Sequence, residues 1–124
     1  MVVSAFYELE KSKIRIPHLY RLKDNSILGF AGLYERWKSP AGDVWSYTII
    51  TNDANELVEK THPRMPAIIH PSEYNFWLDP ENHNTDELSG ILKPYSASEM
   101  TYNKVSTDLN DTKNDYPELL NDII

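Results

Sequence analysis

Between Ile27 and Thr51 two runs of strand-forming residues flank the cluster Ser39-Pro40-Ala41-Gly42-Asp43. Proline pre-sets φ on one side of that cluster and glycine tolerates positive φ on the other, the combination a chain reversal needs. The pattern predicts a β-hairpin, with Ile27–Trp37 as one strand and Val44–Thr51 as its partner. Gly29 and Gly32 within the first strand signal bends or a close backbone approach. The hairpin commits this part of the chain to antiparallel pairing.

The flanking segments extend the same pattern. Phe6–Leu9 reads as a strand, Lys11-Ser12-Lys13 as a turn, and residues 14–16 with His18–Leu22 as one extended segment interrupted at Pro17. A proline there predicts an edge or a bulge, because it cannot donate to a ladder. After Thr51 the period changes. Asn52 and Asp53 supply capping groups for a short helix through Lys60, ending before Pro63. Met65–Ile69 predicts a strand. Pro71 opens a helix with Tyr74, Trp77 and Leu78 on one face. Thr85–Leu92 predicts a helix capped by Thr85, Tyr102–Val105 a last strand, and Asp115–Ile124 a helical or irregular tail. The expected fold is α+β, a single domain rich in antiparallel strands with short peripheral helices.

Composition narrows the chemistry. With 124 residues, one core is the expectation. An apolar content of 40% with eight tyrosines argues against disorder. No apolar run is long enough to span a bilayer, and no secretory signal is visible at the start, so a cytoplasmic location is expected. The absence of cysteine excludes a thiolate nucleophile, a disulfide and a cysteine–metal site. The four histidines, His18, His62, His70 and His83, form no metal-binding spacing, and no phosphate loop, dinucleotide fingerprint or nucleophile elbow occurs. Neither a metal nor a cofactor is expected. Residues 1–40 carry seven Lys/Arg against four Asp/Glu, while residues 41–124 carry five against fifteen. An acidic chain is a poor general DNA binder, although the basic front segment can form a local patch.

Two places remain. Glu8 lies in the apolar run Ala5-Phe6-Tyr7-Glu8-Leu9, and strand alternation puts it on the face of Phe6. A carboxyl held beside aromatic groups gains a raised pKa, useful for acid–base work; the plain alternative is an outward-facing glutamate on an edge strand. Thr61-His62-Pro63-Arg64-Met65-Pro66 holds a histidine and an arginine on a connection stiffened by two prolines. That could present a base beside an anion-binding guanidinium; the plain alternative is a histidine capping a helix C-terminus.

Taken in order, Phe6-Tyr7-Glu8, Gly29-Phe30-Ala31-Gly32-Leu33-Tyr34-Glu35-Arg36-Trp37, Thr48-Ile49-Ile50-Thr51 with Ala54-Asn55-Glu56-Leu57, His62-Pro63-Arg64-Met65-Pro66, Trp77-Leu78-Asp79-Pro80 and Val105-Ser106 with Asn114-Asp115 resemble the SRAP family of abasic-site processing proteins. The resemblance covers nearly the whole chain and corresponds to roughly the second half of the family domain, so residues 1–124 are expected to be one partial SRAP-like domain, an incomplete pseudo-barrel. It implies a DNA-damage or SOS-response protein that binds single-stranded DNA and forms a covalent crosslink at abasic sites, with lyase-like and self-processing peptidase activity in the family. It implies proton-transfer roles for Glu8 and His62 and a phosphate contact for Arg64. The family's nucleophile is a cysteine directly after the initiator methionine; here Val2 occupies that place, the family's asparagine-bearing half is absent, and Leu9 replaces the usual tryptophan. The resemblance therefore implies a chain that cannot form the thiazolidine crosslink by itself. Exposed strand edges are then expected to drive a homodimer, a swapped assembly or docking of a partner chain. Two other readings stay open: an inactive remnant or interaction module, and a small-molecule acid–base enzyme using Glu8 and His62.

Overall fold

The computed structural model describes residues 1–123. Over these the chain runs through β1 (Val2–Val3), β2 (Phe6–Leu9), β3 (Pro17–Leu22), β4 (Leu28–Phe30), β5 (Gly32–Ser39), β6 (Gly42–Ile49), β7 (Thr51–Asp53), β8 (Arg64–Pro66) and β9 (Ile68–Ile69). The helices α1 (Tyr74–Leu78) and α2 (Thr85–Gly90) and the strand β10 (Met100–Lys104) follow, with single 3-10 turns between and after them. The strands form two three-stranded sheets, β1-β4-β9 and β10-β3-β2, and two ribbons, β5-β6 and β7-β8, every pair antiparallel. No closed barrel is formed by the described residues.

Three expected strands are each split at a single residue. Ile27–Trp37 breaks at Ala31, Val44–Thr51 at Ile50, and Met65–Ile69 at Ala67. These three residues bond to one another in a ring: Ala31 N–H donates to Ala67 O (2.8 Å), Ala67 N–H to Ile50 O (2.9 Å), and Ile50 N–H to Ala31 O (2.9 Å). Each strand thus leaves one sheet for another at a common corner without stranding its amide. Ala31 and Ala67 are fully buried there, beside Ile69, with Tyr74 and Trp77 of α1 packed against them. The larger core gathers Tyr20, Leu22, Leu28, Phe30, Val58 and Met65 with Ile68, Tyr95 and Met100.

The hairpin turns where expected, with Gly42 at φ +121° and Ser39 opposed to it. Other expectations need correction. Pro17 does not mark an edge: β3 is the middle strand of its sheet, and Pro17 is tolerated because it is the strand's first residue. Residues 14–16 lie outside β3, Arg15 having φ +54°. The helix expected over residues 52–60 is absent. Asn52 and Asp53 pair instead with Met65 and Arg64, and Asn55 folds the next residues into turns by accepting from the Leu57 and Val58 amides. Asn and Asp compete for backbone hydrogen bonds in this way, so capping chemistry alone does not establish a helix. Leu78 is 73% exposed and does not share the buried side of Tyr74 and Trp77. Asn84, not Thr85, caps α2, accepting from the Glu87 amide at 3.2 Å. The tail holds one 3-10 turn, Pro117–Leu120; Ile124 lies outside the described residues.

Candidate functional site

Register places the first candidate. β2 pairs with β3 so that Phe6 opposes Tyr20 and Glu8 opposes His18. Opposed residues share a face, so Glu8 sits with the Phe6–Tyr20 stack, whose ring centroids are 5.4 Å apart. The inward reading of Glu8 is the one the fold adopts: the residue is half-buried, and its pKa is raised, first by desolvation, with a smaller opposing pull from His62. A carboxyl in this setting retains its proton more readily than one in water.

His62 reaches Glu8 from the other side of the chain. Glu8 and His62 line one open cleft of about 490 Å³, together with Tyr7, Leu9, Glu10, Lys11, Ser12 and Arg15. His62 Nδ1 lies 2.9 Å from Arg64 O and 3.1 Å from Arg64 N. An unprotonated Nδ1 accepts from the Arg64 amide, and a protonated one donates to the Arg64 carbonyl. The ring keeps a backbone partner in either state, which suits a group that gains and loses a proton. For Nε2 no protein partner is found among the described residues. The expected helix does not form, so capping a helix end is not its role.

Arg64 stands apart from the cleft. Its guanidinium donates to Asp53 Oδ1 (2.7 Å), to Thr51 O (2.8 Å) and to Thr51 Oγ1 (3.2 Å), clamping β8 to β7. The cations that do line the cleft are Lys11 and Arg15, contributed by the loop between β2 and β3. The sequence pattern placed Lys11 in a turn but Arg15 in an extended segment, and only the folded loop shows which way they face.

Behind the cleft lies a buried relay that the sequence reading missed. Tyr20 Oη is 2.6 Å from Thr61 Oγ1, which is 2.9 Å from His18 Nδ1, while His18 Nε2 is 3.6 Å from Glu10 Oε2. Tyr20, Thr61 and His18 are all buried. His18 has its pKa lowered, first by desolvation and then by Lys104, so the neutral ring is favoured. Neither Nε2 nor the facing Glu10 Oε2 has a hydrogen-bond partner at this separation, and a ring proton on Nε2 is the tautomer that places a donor toward the carboxylate. Nδ1 must then accept from Thr61, whose single proton is thereby used, and Tyr20 must donate to Thr61. With that tautomer a single order of donation runs from Tyr20 through Thr61 to His18, and Thr61, adjacent to His62 in sequence, ties the loop of one candidate to the strand opposite the other. The only sequence signal was the alternation Tyr20–His18 against Phe6–Glu8–Glu10, which has no register until β2 and β3 pair.

Among the described residues no cluster of His, Asp or Glu could hold a metal ion, and no helix is long and apolar enough to cross a membrane.

Comparison with known proteins bears on this arrangement. The family model described as SOS response associated peptidase (SRAP) matches residues 1–112. The abasic site processing protein YoqW of Bacillus subtilis (strain 168) is 41% identical over 119 residues, covering 94% of this chain and 53% of that protein. The abasic site processing protein HMCES of Gallus gallus is 39% identical over 97 residues, 76% of this chain and 28% of that protein. A crystal structure of a protein from Bacteroides thetaiotaomicron superposes with a TM-score of 0.87 at 28% identity, covering 100% of this chain and 56% of that one. The chain spans about half the length of the Bacillus relatives it matches.

Proposed function

Because the chain belongs to the SOS response associated peptidase (SRAP) family, we propose that its Glu8–His62 cleft binds an abasic deoxyribose in single-stranded DNA and moves the protons that open the sugar. The observation that carries this reading is the convergence of Glu8, its pKa raised by burial, and His62 on one open cleft.

The closed sugar is a hemiacetal. Opening it breaks the bond from the anomeric carbon to the ring oxygen, forms the aldehyde, removes a proton from the anomeric hydroxyl and adds one to the ring oxygen. A neutral imidazole at His62 takes the first proton through Nε2, and the carboxylic acid of Glu8 supplies the second. Lys11 and Arg15 supply positive charge for the flanking phosphates at the cleft itself. Arg64 serves as a phosphate contact only by sharing a guanidinium already held by Asp53. Capture of the aldehyde as a stable thiazolidine needs an amine and a thiol on one residue, and this chain has no cysteine. Its own covalent repertoire is limited to an imine, in which an amine nitrogen bonds to the aldehyde carbon and water leaves.

The test uses a single-stranded oligonucleotide with one abasic site and an alkoxyamine in excess, so that sugar opening limits trapping. The chain is expected to accelerate trapping, and Glu8→Gln and His62→Ala each to reduce the acceleration at least tenfold. No heat-stable band on a denaturing gel is expected without borohydride. Unchanged trapping by the wild-type chain, or a heat-stable adduct without reductant, counts against the proposal.

A further inference from the structure

Glu8 and His62 come from parts of the chain that no strand pairing joins. Glu8 stands on β2, in the β10-β3-β2 sheet, and His62 on the turns between β7 and β8, which form a ribbon of their own. Within those turns the Thr61 and His62 amides both donate to Val58 O, at 2.8 and 2.9 Å. The His62 ring bonds only to Arg64 of its own loop. These bonds shape the turn without setting its distance from β2.

That distance rests on one side chain. Among the described residues, the hydrogen bonds that join residues 54–63 to the β2–β3 pair are both made by the Thr61 hydroxyl, at 2.6 Å to Tyr20 Oη and 2.9 Å to His18 Nδ1. Tyr20 and His18 stand on β3 directly opposite Phe6 and Glu8, so a shift of Thr61 against β3 is a shift of His62 against Glu8. Val58 and Leu57 pack in the same core as Tyr20, but apolar contact is non-directional and lets a turn slide. Two buried hydrogen bonds from one atom do not, since leaving either unmade is costly. Pro63, with its fixed φ, confines His62 from the other side. The far end of the same relay is Glu10, itself a wall of the cleft, facing His18.

We infer that Thr61 is a positioning residue for the cleft: its hydroxyl, held between Tyr20 and His18, sets the separation of His62 from Glu8, and it acts on the reaction only through His62. The inference rests on the Glu8–His62 reading of the cleft. A buried threonine that serves stability alone is the competing account. The two differ in what they do to Glu8, because His62 pulls the Glu8 pKa down; that pull is lost if His62 moves away and is untouched by a loss of stability in a chain that still folds.

The deciding measurement is the titration of the Glu8 side-chain carboxyl carbon by NMR in the folded chain, with no DNA present. His62→Ala should raise the Glu8 pKa further. Thr61→Val should raise it as far as His62→Ala does, the double variant should add nothing to either, and Thr61→Ser should titrate as wild type. Should Thr61→Val not fold, Tyr20→Phe removes one of the two bonds without orphaning a donor, and a smaller rise is expected. A wild-type titration of Glu8 in the folded Thr61→Val chain, or in Tyr20→Phe when Thr61→Val does not fold, overturns the inference. So does an unmoved Glu8 in His62→Ala. In the alkoxyamine assay, Thr61→Val should lower the rate at saturating abasic oligonucleotide by about tenfold or more. The concentration for half-maximal rate should not change, because Lys11 and Arg15 lie on another loop, and Thr61→Ser should restore the rate. If the wild-type chain does not accelerate trapping, the function proposed for the cleft falls, while the Glu8 titration still decides the role of Thr61.

Discussion

Glu8 and His18 stand directly opposite each other across β2 and β3, and burial shifts both toward their neutral forms. The glutamate is raised above its ordinary value of 4.5 and the histidine lowered below 6.5. Two ionisable groups therefore share one face without an ion pair between them. Glu8 keeps its proton more readily than a carboxyl in water, and the neutral ring of His18 is favoured within the Tyr20–Thr61–His18 relay.

The Glu8 shift gives a signed pH dependence. Above pH 4.5 the unfolded chain releases the Glu8 proton more readily than the folded one, so the stability due to Glu8 is complete below that value and is lost as pH rises through the folded pKa. His18 acts oppositely, its contribution being present above 6.5 and lost as pH falls through its lowered folded pKa. Glu8→Gln removes only the first effect. In urea unfolding, its stability relative to wild type should increase between pH 4.5 and neutrality; a constant difference contradicts the burial of Glu8.

Thr61→Val should be costly. It leaves Tyr20 Oη and His18 Nδ1 buried without partners, at about 1–3 kcal/mol for each orphaned group. Thr61→Ser keeps the hydroxyl and should lose much less. Similar losses for the two variants in chemical denaturation would show that the methyl, not the relay, matters.

Gly29 is needed for space. A Cβ there meets Tyr74 Cε1 and Oη at 2.7 Å and Cζ at 2.9 Å, so Gly29→Ala must displace the α1 tyrosine from the corner at Ala31. Overpacking of this kind costs about 1–3 kcal/mol. Combining it with Tyr74→Leu should recover part of the loss in thermal unfolding, because the clash is with the ring.

Arg64 and the cleft cations separate by salt dependence. Each phosphate contact to single-stranded DNA contributes about −0.7 to the slope of log affinity against log salt. Lys11→Ala and Arg15→Ala should each flatten the slope by about that amount. Arg64→Ala should change it less, because Asp53 already neutralises that guanidinium. A larger effect at Arg64 restores it as the principal phosphate contact.

The local pattern determined a good deal. Pro40 and Gly42 placed the hairpin turn, and the lack of cysteine excluded a thiol nucleophile; alternation put Glu8 on the face of Phe6, but pairing of β2 with β3 decided that this face is the inward one. Where the local signal was Asn and Asp at 52 and 53, it was ambiguous between helix cap and turn, and pairing with β8 decided for strand. The Glu8–His62 cleft, the Tyr20–Thr61–His18 relay and the Ala31–Ile50–Ala67 ring join residues far apart in sequence. No periodicity encodes such contacts; they exist only once strand register is set.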